Sequence, residues 1–318
     1  MSRYENGSRE PEPEVVARLA DALGVTVHFL LNAGRSRGAW AIDVHMRRRK
    51  TAKPTDWKRL EARLNMHRLH ACQLYEEVSL RAEQYIPRFD PFETPPADAA
   101  RLLRMQWKMP VGPVRTLVRW IEAAGCLVIE EDFGPARVDG LTQWIDQHPI
   151  ILLNCRRPTD RKRLTLAHEM GHLCLHSEVV SDELEEQANA FAAEFLMPAS
   201  VIRPQLHNLT IGKLLDLKRE WAVSMQALIE RAKDLRLLTA THRANLYKYL
   251  SARGWVTREP VSDDLPEESA SLPRNIGDAL SARGLTIGEI ADLVGIADPE
   301  GDYAFPFRPS GPRLRSIN

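Results

Sequence analysis

The chain of 318 residues has no net charge, its 43 Lys and Arg balancing 43 Asp and Glu. Without a surplus of either sign, the surface as a whole is not built to attract nucleic acid or an acidic partner. No apolar run approaches the ~20 residues that span a bilayer, so no membrane helix is expected. The N-terminus is polar and carries no secretory signal. Cysteine is scarce: Cys72, Cys126, Cys155 and Cys174 are scattered, with no C-x-x-C pair. This pattern excludes a disulfide framework and fits reduced thiols in a cytoplasmic chain. Core packing is the expected role of Cys155 and Cys174. The apolar fraction of 44% is ordinary for a globular protein. The length suggests about two domains at ~150 residues each.

What is present is one dense stretch from Arg163 to His176, RLTLAHEMGHLCLH. Within it His168, Glu169 and His172 form H-E-x-x-H. Histidines four apart lie one turn apart on one helix face, so both imidazoles can reach one small cation. Zinc favours such nitrogen ligands at about 2.0–2.1 Å. Glu169 has no need to bind the metal, and its carboxylate can take a proton from a water beside it. Leu164, Ala167, Met170, Leu173 and Cys174 predict that this helix is buried. His176 lies eight residues past His168, about 12 Å along a helix axis, too far to share an ion with it. A hydrogen-bonded structural histidine is expected there. The metzincin extension fails, because Leu175 and Glu178 stand where its Gly and His belong. His148 could line a cleft, though nothing in its spacing argues for it.

The remaining chain reads as mainly helical. Residues 1–34 suggest an amphipathic helix through Val15, Val16, Leu19, Ala20 and Leu23, stopped by Gly24, then a short helix. Residues 35–96 read as a linker with the basic run Arg47–Lys50, then a long helix from Asp56 to Tyr85. Helices over Ala97–Trp107 and Val111–Gly125 are expected, the second with Pro113 in its first turn. Three strand-like segments follow: Cys126–Glu130, Gly140–Ile145 and Ile150–Asn154. They predict a small antiparallel sheet whose edge can hold an extended substrate. Past the motif, Ser181–Pro198 reads as a helix with Ser181 as N-cap. On it Glu185, Ala188, Ala192 and Phe195 share a stripe. A carboxylate heading such a stripe is costly unless paired or bound to a cation. Spacing alone leaves Glu185 level, as third ligand, with Glu178, Asp182, Glu183, Glu186 and Glu194 together. Thr210–Leu235 and Leu272–Ile296 each read as a helical pair. Residues 257–271 and 298–318, rich in Pro, Asp, Glu, Gly and Arg, are expected to be mobile.

From about Ala97 to Leu235 these pieces together resemble the ImmA/IrrE family of metallopeptidases. The resemblance is carried by RLLRMQWKMPVGPV, DGLTQWI, LAHEMGHLCLH, EEQANAFAAEFLMP and WAVSMQALIERAKDL. It implies a zincin-like α+β core, with zinc held by His168, His172 and Glu185 and with Glu169 as base. It also implies a protein substrate, namely a helix-turn-helix repressor. Tyr4, Glu5, Gly7, Arg9 and Pro11 resemble the string after the recognition helix of an XRE-type, phage-repressor-like domain. The recognition helix itself lies outside this sequence, so DNA binding is not expected. The domain organisation read here is 1–34 as XRE-type remnant, 35–96 as linker and long helix, 97–235 as metallopeptidase domain and 236–318 as C-terminal helical region. The competing readings are a regulator with a structural zinc site and a DNA-binding transcription factor. A retained Glu169 argues against the first, since a structural site has no use for a base.

Overall fold

The computed structural model describes residues 4, 8–32, 54–78, 81–134, 138–145, 148–176, 183–299 and 306–310. In chain order the elements are α1 (Pro13–Leu23), α2 (Val27–Asn32), α3 (Pro54–Glu77), α4 (Pro96–Gln106), α5 (Leu117–Ala123), β1 (Leu127–Glu131), β2 (Gly140–Ile145) and β3 (His148–Asn154). Then follow α6 (Thr159–Leu175), α7 (Leu184–Leu196), α8 (Ala199–Ile202), α9 (Ile211–Trp221), α10 (Met225–Asp234), α11 (Ala240–Ala252), α12 (Leu272–Ala282) and α13 (Ile287–Val294). The architecture is α+β and mainly helical, as the sequence predicts. None of the described helices is long and apolar enough to cross a membrane.

The chain divides into two compact units. The first draws on 1–40, 61–81 and 271–318, the second on 41–60 and 82–270. In the first, helices from the N- and C-terminal parts of the chain meet. Helix α1 has Pro13 at its start, and Gly24 closes it at φ 68°. Helix α13 opens on a capping box between Thr286 and Glu289, and Gly295 closes it at φ 80°. An L-residue is strained at such φ values, so glycine is the natural stop. Just past these stops Val25 and Ile296 form an antiparallel bridge. The Thr26 N–H donates to the Gly295 carbonyl at 2.9 Å, and the Ala297 N–H donates to the Gly24 carbonyl at 3.1 Å. The exchange is reciprocal, so two similar helix ends are paired about a local two-fold.

The second unit holds a three-stranded sheet in the order β1-β3-β2. Here the structure corrects an expectation. Strand β2 runs antiparallel to β3, but β1 runs parallel to it, with Leu127 opposite Ile150. Side-chain alternation carries no information on strand direction. The chain passes from β1 to β2 first, and β3 then enters between them. Strand β3, IILLN at its core, is buried from Pro149 to Asn154 and suits the central position.

Three further expectations change. Helix α5 begins only at Leu117, because Lys108 takes φ 52° and Pro110 and Pro113 hold the preceding segment out of a helix. Cys155 is exposed in the turn after β3, whereas Cys174 is buried as expected. The polar segment 257–271 is packed into the unit rather than mobile: Glu259, Ser262 and Leu265 are buried. Its carboxylates meet buried cations, which composition alone does not reveal. The basic run 47–50, Ser181 and most of 298–318 lie outside the described residues.

Candidate metal centre

Helix α6 carries the H-E-x-x-H face and is buried along nearly all its length. Helix α7 crosses it where Gly171 faces Ala188. A Cβ built on Gly171 would stand 3.1 Å from the Ala188 Cα and 3.2 Å from its carbonyl oxygen. Only a hydrogen at this position lets the two backbones come so close. The approach brings Glu185, in the first turn of α7, over the two histidines.

The three side chains converge. Nε2 of His168 and Nε2 of His172 are 3.1 Å apart. Glu185 places Oε2 3.6 Å from the first and Oε1 3.7 Å from the second. One ligand atom from each residue lies within 4.8 Å of the others, so the group can hold a metal ion. Four ligands at ~2.0–2.1 Å on a tetrahedron are about 3.3 Å apart, close to these separations. The tautomer of His168 agrees. Its Nδ1 lies 3.0 Å from the Asn189 Oδ1, an acceptor. Nδ1 therefore carries the proton, and the Nε2 lone pair is turned toward His172 and Glu185.

The other ring is oriented through a longer chain. Nδ1 of His172 is 2.9 Å from Nδ1 of His176, whose Nε2 is 2.8 Å from the Gln187 Oε1. His176 is fully buried, and burial lowers its imidazole pKa below the ordinary value, with the Gln187 bond opposing.

Glu169 is 6% exposed and lines the same cleft. Strand β2 starts against it: a Cβ on Gly140 would fall 2.6 Å from the Thr165 Cγ2 and 3.3 Å from the Glu169 Oε1. The cleft, about 760 Å³, is lined by His168, Glu169, His172, Glu185, Asn189 and Gly140 among others. Ordered ion pairs shape its walls. Lys218, wholly buried, donates to Asp160 at 2.5 Å, to Glu259 at 2.7 Å and to the Ser262 hydroxyl at 2.8 Å. Asp139 is held by Arg157 at 2.7 Å and Arg161 at 2.8 Å.

Of the carboxylates that compete with Glu185, Glu194 is buried between Arg231 and Arg101. Glu186 lines the cleft, and Glu183 precedes α7. Glu178 and Asp182 lie outside the described residues. His148 opens β3 beside Gly125, away from the cleft lining. Sequence reasoning missed Asn189 and Gln187 as partners of the histidines. Their signal was spacing: Gln187 and Asn189 follow Glu185 by two and four residues, and Asn189 shares its helix face.

Residues 121–233 match a peptidase family model described as an IrrE N-terminal-like domain. Residues 2–30 match a helix-turn-helix model. The first match covers β1 to α10 and so includes every residue of the centre, and the second covers α1 and most of α2. No curated protein matches the chain.

Proposed function

We propose that this chain is a zinc-dependent metalloendopeptidase whose substrate is a helix-turn-helix repressor. The observation that carries the reading is the convergence of His168, His172 and Glu185 beside a buried glutamate on the same helix. Two imidazoles and one carboxylate, with room for a fourth ligand in an open cleft, are the donor set of a catalytic rather than a structural zinc site. Zinc held there would polarise a peptide carbonyl and acidify a water. Glu169 accepts the proton of the attacking water and passes it to the leaving amine. Gly140, with no side chain, lets β2 lie close to that carboxylate. Among the described strands β2 is an edge, so an extended peptide can add to it and present its backbone to the cleft. Asn189 keeps His168 in the tautomer that a ligand needs. We assign the activity to residues 97–235 and a cytoplasmic location to the protein.

The repressor as substrate is what the family resemblance implies; the matches at 121–233 and 2–30 support the coarser reading of a peptidase-type domain in one chain with a helix-turn-helix segment. Helix-turn-helix domains can pair with one another, so 1–34 is a candidate dock for the substrate.

Glu169→Gln separates binding from chemistry. The amide keeps the size of the side chain and cannot accept the proton. Zinc content should stay at the wild-type level while repressor cleavage falls by about 10² or more. Wild-type turnover in the variant would remove Glu169 as the base.

A further inference from the structure

We infer that His176 and Gln187 act as a relay that fixes which nitrogen of His172 carries its proton, and so prepares that ring to bind a cation. The inference rests on the metal reading of the centre. The Gln187 side-chain oxygen only accepts, so His176 donates to it through Nε2 across 2.8 Å. A neutral His176 then has an acceptor at Nδ1. That atom is 2.9 Å from Nδ1 of His172, which must therefore be the donor. A neutral His172 protonated at Nδ1 has its lone pair on Nε2. This nitrogen faces His168 at 3.1 Å and Glu185 at 3.7 Å.

The relay has a physical purpose. An imidazole that carries its proton on Nε2 cannot ligate through Nε2 until the proton moves. Histidines at metal sites are commonly held in the correct tautomer by an acceptor on the other nitrogen. His168 has such an acceptor directly in Asn189. His172 is deeper, with its side chain 4% exposed, and reaches its acceptor through a second ring. Helix periodicity puts His176 one turn beyond His172 on the same face of α6, and α7 brings the Gln187 side chain to its far nitrogen. His176 and Gln187 are positioning residues and touch no substrate in this scheme.

Two measurements on the full-length protein test the relay. The first is the two-bond 1H–15N spectrum of the metal-free protein with labelled histidine. The expected result is His172 protonated at Nδ1 and His176 at Nε2. A His172 with no proton on Nδ1 would overturn the relay, and this test needs no variant to fold. The second is zinc affinity by chelator competition. Gln187→Met keeps the shape of the side chain and removes the acceptor, and it should weaken zinc binding by about 10–100-fold. Gln187→Glu restores an acceptor and should bind close to wild type at neutral pH. A packing role for Gln187 would leave the methionine variant at full affinity. His168→Ala separates the two claims. If it binds zinc as tightly as wild type, the metal reading itself fails. If it loses zinc while Gln187→Met does not, the relay alone fails.

Discussion

His70 is buried in the first unit with its ring stacked on Phe29, centroids 4.5 Å apart, and its Nδ1 2.5 Å from the Val294 carbonyl. Burial lowers its pKa from 6.5 to about 4, with the Val294 bond opposing and His67 adding to the shift. A depressed pKa means that the unfolded chain takes up the proton first as pH falls. Stability is therefore complete above about 6.5 and is lost as pH drops toward about 4. At 1.36 kcal/mol per unit the loss is about 3 kcal/mol. Amide exchange along α1 and α13 should accelerate across that window, and a flat profile would contradict the burial argument. The same scale shows how far single residues were legible. His168, Glu169 and His172 carry a spacing that suits one small cation with a carboxylate beside it. Glu185 was one of several acids until the family resemblance singled it out. Asn189 carried only its one-turn spacing from Glu185, and Lys218 looks like any polar surface residue, because hydrogen-bond partners across a fold leave little mark on local sequence.

At the scale of elements the site depends on how closely α7 crosses α6. Gly171→Ala would push a methyl group against the Ala188 backbone, which has no flexible end to give way. The helices must separate by a few tenths of an ångström, at a cost of about 1–3 kcal/mol. Glu185 would move with α7, so zinc affinity and thermal stability should fall together. An alanine variant with unchanged melting temperature would show that the crossing is not tight. Helices with regular apolar spacing were readable: α4, α6, α9, α10, α12 and α13 fall close to their expected ranges. The start of α5 was not, because two prolines and the left-handed Lys108 outweigh the apolar pattern there. The direction of β1 was not either, since the order in which strands join a sheet is a tertiary property. Segment 257–271 misled because its acids answer buried Lys218 and Arg163, far away in sequence.

At the scale of the molecule, the helix-turn-helix match falls in the unit built from both chain ends and the peptidase-type match in the other. Length suggests about two domains but says nothing of which segments join. The meeting of α1 and α13 was not readable, although both end in an apolar run, glycine and a β-branched residue. A cleft that takes only extended backbone cuts a folded protein where a loop or a locally opened helix offers it. On the proposed docking through 1–34, casein-like substrates, which offer extended backbone but no such dock, should stay intact. The most direct measurement is a fragment map, by mass spectrometry, of a candidate helix-turn-helix repressor after incubation with the intact protein. The zinc-loaded protein should make a single cut, chelator-stripped protein none, and restored zinc should bring the same cut back. An intact repressor with zinc-loaded protein, or a cut that survives stripping, would contradict the account.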